Sequence, residues 1–149
     1  MTSPQHDPRF KLLSAVHVFL HNGKHILLLR RFNTGYEDGN YSVIAGHLDG
    51  DETVIDAACR ETLEEVGIAL EPANTRVVGV MHRKSSDERI DWFVTANQWQ
   101  GELVNNEPDK CDQIGWYELD KLPENIIPYI RQAISNYHSG RWFDSFGWS

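Results

Sequence analysis

The sequence is short of cysteine, of positive charge and of long hydrophobic runs, and each shortage closes off a class of protein. Cys59 and Cys111 are its only cysteines in 149 residues. That is too few for a disulfide framework, so a reducing cytoplasm is the expected setting. Lys and Arg number 14 against 22 Asp and Glu, for a formal net charge of −8. Proteins bind extended nucleic acid by neutralising its phosphates, and an acidic chain is unsuited to that. A small polyphosphate stays open, provided metal ions cancel the local charge. Apolar runs such as Ile26 to Leu29 are far too short to cross a bilayer, and no secretory leader is expected. Internal repeats and low-complexity tracts are absent too.

What remains is an ordinary globular composition, 40 % hydrophobic and 24 % charged, at a length that predicts one domain over 1–149. Residues 1–9 read as a mobile arm. Val16, Val18 and Leu20 alternate on one strand, His25 to Arg30 forms a second, and Asn22-Gly23 between them signals a hairpin. His17 and His25 have no matching partner set and read as ordinary strand residues. Residues 32–40 are loop by composition, and Tyr41 to Ala45 is a short strand delivering Gly46 to a helix. Further strands are expected over Thr75 to His82, Arg89 to Thr95 and Ile114 to Leu119. In Arg89 to Thr95, apolar residues on both faces suggest a strand inside the sheet. Gln100 to Asp112 is a long polar loop. A final helix carries Ile126, Ile130, Ala133, Ile134 and Tyr137 as its apolar stripe, with Pro128 in the first turn and Gly140 as the stop. The tail 141–149 holds Trp142, Phe143, Phe146 and Trp148. So many aromatics should pack on this domain or on a partner, a homodimer being one such arrangement.

The organising stretch is Gly46 to Ile68, GHLDGDETVIDAACRETLEEVGI. Thr53 is a good N-cap and Gly67 supplies a left-handed closing residue. Ile55, Cys59, Thr62 and Val66 recur at helical spacing and predict the core face. Ala57 and Ala58 are small enough to leave room for a ligand or a neighbouring backbone. Glu61, Glu64 and Glu65 fall within about 60° of one another at roughly 100° per residue. Three like charges at that spacing repel, and a hard divalent cation reverses the sign because carboxylate oxygens are its preferred ligands. A bare acidic face would carry no such neighbours. This one comes with a glycine loop, Glu52 six residues after Gly46, the pair Arg60-Glu61 and a closing glycine, and Arg60 can pair with Glu52. The loop lacks the Lys-Ser/Thr ending of a P-loop.

The pattern resembles the Nudix box, with Gly46, Glu52, Arg60, Glu61, Glu64, Glu65, Gly67 and Ile68 in place and Thr62 the one departure. The resemblance implies an α/β fold, an α/β/α sandwich around a mixed β-sheet. It also implies Mg²⁺- or Mn²⁺-dependent hydrolysis of a nucleoside diphosphate linked to another group. By position, Glu61, Glu64 and Glu65 would hold the metal with the Gly46 carbonyl, while Glu52 and Arg60 would be structural. The proton acceptor would be Glu64, Glu65 or Glu107 of the long loop. Arg30 or Arg31 would hold the substrate phosphates. No proline marks the place typical of ADP-ribose enzymes, where Arg83 lies nearby. Nor does a tyrosine mark the place typical of dinucleoside polyphosphate enzymes, where Ser85 and Ser86 stand. A MutT-like branch acting on a nucleoside triphosphate is therefore the expectation. Asn125 is then a candidate base contact, and Trp92, Phe93 and Trp116 are candidates to stack on a base. A nucleotide sugar, a dinucleoside polyphosphate and a non-catalytic ligand-binding module are the alternatives. The Nudix-type isoprenoid isomerase requires a cysteine ahead of the box, and neither cysteine lies there.

Overall fold

A computed structural model describes residues 8–149, so residues 1–7 of the expected arm lie outside it. Eight strands run as β1 (Leu13–Asn22), β2 (His25–Arg31), β3 (Tyr41–Ser42), β4 (Ile44–His47), β5 (Thr75–Lys84), β6 (Glu88–Ala96), β7 (Cys111–Glu118) and β8 (Phe143–Phe146). Helix α1 spans Val54–Val66 and α2 spans Pro128–Ser139. The sheet order is β3-β2-β1-β6-β5-β8, with β4 paired to β1 and β7 to β2. It is mixed, since β1 runs parallel to β6 and β5 to β8 while the other pairs are antiparallel.

Strand alternation sorts the core into two layers. Val16, Val18, Leu20, Leu27 and Leu29 pack on the α1 side, while Phe19, Ile26, Leu28 and Phe93 pack on the α2 side. The result is the expected α/β/α sandwich. Helix α1 begins where Thr53 accepts from the Asp56 amide and ends on Gly67 at φ 71°. Helix α2 starts with proline in its first turn and stops at Gly140, φ 79°.

Several expectations need correction. The turn between β1 and β2 is Gly23-Lys24, with Asn22 still pairing His25 in the ladder. The strand expected over Tyr41 to Ala45 breaks at Val43, because its halves pair with different strands, β2 and β1. Ala57 and Ala58 leave no room for a ligand; both are fully buried against the sheet, whereas Ile55 and Cys59 are only half-buried. Small side chains at those positions let the helix approach β4. Thr62 is no packing defect, since its buried hydroxyl donates to the Ala58 carbonyl at 2.7 Å. The aromatic tail folds back on its own sheet. Its strand β8 pairs β5 from Val80↔Phe143 to Arg83↔Phe146, and the Trp148 indole donates to the His82 carbonyl.

Candidate active site

The loop after β4 and the outward face of α1 meet at Gly46. A Cβ on that residue would fall inside the Glu61 carboxyl group, so glycine is required there by close approach. One turn on, Glu65 accepts from the Ala45 amide at 3.3 Å. Glu61 and Glu65 line the same cleft one turn apart on α1. Burial pushes the Glu61 carboxyl up, and it pushes Glu65 well up, with the negative charges of Glu61 and Glu107 adding to the effect. Glu64 stands in solvent beside them.

Glu107 arrives from a loop that serves as the cap of α1. The last carbonyls of a helix need donors. Here the Val104 amide bonds Val66, the Asn106 amide bonds Glu65, and the Asn106 side chain reaches Leu63. Asn105 then braces the turn, accepting from the Glu107 amide and donating to the Cys111 carbonyl. Capping the helix thus brings a fourth carboxylate to the same place.

Arg60 makes the expected paired contact with Glu52, at 3.0 and 2.8 Å, and Glu52 also accepts from the Asp49 amide. Beyond that expectation it reaches Glu61 at 2.7 Å and Glu64 at 3.6 Å. The guanidinium therefore ties the loop to the carboxylates themselves. Among the described residues, no three His, Cys, Asp or Glu side chains close into a finished metal cage. The donor chemistry nevertheless fits Mg²⁺ or Mn²⁺, because it is hard oxygen throughout and carries negative charge that one arginine leaves largely unanswered.

A cleft of about 800 Å³ opens over these groups. Gly46, Glu61, Glu64, Glu65, Glu107, Arg30 and Arg31 all line it. Arg30 is already held by Asp112 in a paired contact at 2.8 and 2.9 Å. Arg31 is held by neutral oxygens, the Tyr36 carbonyl and the Thr34 hydroxyl. Asn125 is not among the lining residues; its amide clamps the Gly39 carbonyl at 2.8 Å. Trp92, Phe93 and Trp116 also lie outside the lining, Phe93 stacking on Phe19 and Trp116 on Trp99.

The sequence reading missed the other wall. His17, Tyr36, Arg83, Lys110 and Tyr129 line the cleft as well. Asp91 was the available signal. It is a charged residue in the middle of a strand with apolar residues on both faces, and such a charge needs a buried partner.

A mixed sheet between two helices, with glutamates of one helix set against a glycine loop, defines a class of hydrolase fold. A family model for the NUDIX domain matches residues 11–137, and the chain belongs to that family. The chain is 28 % identical to a MutT NUDIX hydrolase from Burkholderia pseudomallei. That structure superposes with a TM-score of 0.77 over 85 % of this chain and 98 % of the other. It is 33 % identical to an isopentenyl-diphosphate Delta-isomerase from Cutibacterium acnes, over 89 % of this chain and 75 % of that protein. It is 29 % identical to the NAD-capped RNA hydrolase NudC of Stutzerimonas stutzeri over 89 % of this chain, and spans only 44 % of that protein's length. Among the described residues, no helix is long and apolar enough to cross a membrane.

Proposed function

We propose that this chain is a Mg²⁺- or Mn²⁺-dependent cytoplasmic pyrophosphohydrolase that cuts a nucleoside triphosphate into the monophosphate and pyrophosphate. The observation that carries this is the meeting of Glu61, Glu64, Glu65 and Glu107 with the Gly46 main chain in one cleft. Glu61, Glu64 and Glu65 would hold the cation together with the Gly46 carbonyl. A divalent ion there supplies charge neutralisation on the phosphates and a more acidic water. Glu65 and Glu107 line the same cleft and are the leading proton acceptors, with Glu64 the third. Arg31 and Lys110 line the same cleft, and the hydrogen bonds of Arg31 go to neutral oxygens; these are the phosphate contacts. Arg60 and Glu52 fix the loop against the helix.

An internal pyrophosphate suits this arrangement because its charge is spread over two adjacent phosphates. The same chemistry serves a nucleotide sugar, a dinucleoside polyphosphate or the cap bond named for the NudC relative. The net charge of −8 disfavours a long RNA. The isomerase likeness gains no support from the thiols. Cys111 lines the cleft, but it is buried, donates to the Gln113 carbonyl, and has its pKa pushed up by burial.

The test is a panel of triphosphates, nucleotide sugars and dinucleoside polyphosphates followed by phosphorus NMR, with each metal and with excess chelator. Monophosphate and pyrophosphate are expected from a triphosphate, with no turnover in chelator. Water labelled with ¹⁸O then locates the attacked phosphorus, expected at the β position. A diphosphate and free phosphate as first products, or full turnover in chelator, would overturn the reading.

A further inference from the structure

The cleft continues past the carboxylates to a second end built by other elements. Its floor is Arg83, a lining residue only 5 % exposed. Arg83 Nε donates to Asp91 Oδ2 at 2.6 Å, and Nη2 approaches Oδ1 at 3.5 Å. The guanidinium lies 3.6 Å from the centroid of the Tyr129 ring, and Tyr129 is itself fixed by His17 at 3.0 Å. The plane of the arginine is therefore set before any ligand enters. Among the described residues its third nitrogen, Nη1, makes no hydrogen bond, so a mostly buried side chain keeps one free donor at the cleft.

The surroundings decide what that donor is for. Asp91 cancels the charge of Arg83, and Asp87 cancels that of Arg89 at 2.8 Å. Ser85 and Ser86, on the turn between these strands, add only hydroxyls to the lining. This end is thus electrically neutral yet rich in donors, unlike the phosphate end with Arg31 and Lys110. Above it stands Tyr36, 49 % exposed, on a loop locked by Asp38, which accepts from the Thr34 and Gly35 amides and the Thr34 hydroxyl. The Arg31 guanidinium lies 5.3 Å from the centroid of this ring, so the subsite adjoins the phosphate contact, and the exposed surface of the ring suits a planar neutral group.

We propose that this end of the cleft is a nucleobase subsite in which Arg83 Nη1 donates to a ring carbonyl while Tyr36 stacks on the base. An arginine has only donors. Guanine and uracil offer carbonyl oxygens, whereas adenine offers an amino donor where guanine carries O6. In the pose in which guanine presents O6, adenine sets its amino donor against Nη1 and can meet it only by turning to a ring nitrogen, and sites built around a required hydrogen bond disfavour analogues that must shift to make it. The preference is therefore for guanine and uracil nucleotides over adenine nucleotides. The subsite deepens the pyrophosphohydrolase reading and rests on it for the position of the phosphates.

Calorimetry with the non-hydrolysable α,β-methylene diphosphates of guanosine, uridine and adenosine tests the proposal. The intact chain should bind a keto-base analogue about tenfold or more tighter than the adenosine analogue. Arg83→Gln alone would strand a buried carboxylate, so the double variant Arg83→Gln/Asp91→Asn removes both charges together. It should erase the base preference while leaving adenosine binding within about threefold. Tyr36→Ala, on the exposed loop, should weaken all three analogues by about tenfold, as lost stacking requires. No base preference in the intact chain, or a preference that survives the double variant, would overturn the subsite. Triphosphate turnover measured in parallel separates the two readings. Turnover indifferent to the base and to both variants sinks the subsite alone. Arg83-dependent base preference in binding, without turnover in either metal, sustains the subsite and sinks the hydrolase.

Discussion

The two ends of the cleft hold charge in opposite ways. At one end Glu61, Glu64, Glu65 and Glu107 crowd together, with Arg60 their only paired cation among the described residues, and burial pushes the Glu65 carboxyl well up. At the other, Arg83 and Asp91 are more deeply buried but answer each other directly, with His17 bonded to Tyr129 beside them. Charge that is left unanswered within the protein is charge kept for a ligand. Charge that is answered holds the wall in shape. The first end should therefore be costly to function and cheap to stability, while the second should be costly to stability and touch function through the choice of base.

The largest expected effect lies at the answered end. Asp91→Ala leaves the Arg83 guanidinium buried without its partner, and breaking such a pair costs about 3–5 kcal/mol. Denaturant unfolding should show that loss, with a lowered midpoint and an unchanged slope. Full stability in Asp91→Ala would mean that the pair contributes nothing to the fold.

At the acidic end the signs reverse. Glu65→Gln or Glu64→Gln should lower kcat about 100-fold or more, equivalent to about 2.7 kcal/mol of transition-state stabilisation. Neither should lower the unfolding midpoint, and Glu65→Gln should raise it by removing repulsion with Glu61 and Glu107. Glu107→Ala should lose less activity than either. Parent rates in both glutamine variants would break the metal assignment.

These contrasts explain which parts were legible in the sequence. The Gly46 to Ile68 stretch was legible because its message is local: a cap, a period, a closing glycine and acids at fixed spacing. One core face of β1 followed from its alternation, whereas the two-layer sandwich followed only from the resemblance of the box to its family. The second wall was hidden because Arg83, Asp91, His17 and Tyr129 come together only across β1, β5, β6 and α2. His17 in particular looked like an ordinary strand residue, since nothing near it in sequence explains its burial. Strand β8 was missed for a related reason. Four residues with two exposed side chains carry no periodicity, and only the free edge of β5 makes them a strand.

The pH dependence of stability sharpens the answered end further. Burial holds the His17 imidazole at a pKa of about 4, against an ordinary 6.5. The folded state therefore keeps it neutral while the unfolded chain takes up a proton below pH 6.5. Stability from this site is complete above pH 6.5, falls as the pH drops, and is exhausted once the pH passes about 4. At pH 5 the loss should be about 2 kcal/mol relative to pH 7. Comparing the chain with His17→Gln at both pH values isolates the effect, because the glutamine variant lacks it. Identical pH profiles would show that His17 titrates normally in the fold.

The smallest effects separate two adjacent arginines that the sequence left equivalent. Arg30 and Arg31 both line the cleft, yet Arg30 is already engaged by Asp112 through two bonds, whereas Arg31 bonds the Tyr36 carbonyl and the Thr34 hydroxyl and lies over the Tyr36 ring. An arginine bound to neutral oxygens keeps its full charge for an incoming phosphate. One facing a carboxylate must give up that partner to bind another anion. Arg31→Gln should raise KM about tenfold with kcat nearly unchanged, the signature of lost ground-state binding. Arg30→Gln should leave KM within about twofold and the unfolding midpoint in place, because an exposed pair of this kind contributes little. The opposite ranking would mean that Asp112 presents Arg30 to the substrate instead of occupying it, and the phosphates would then lie nearer β7 than the loop of Tyr36.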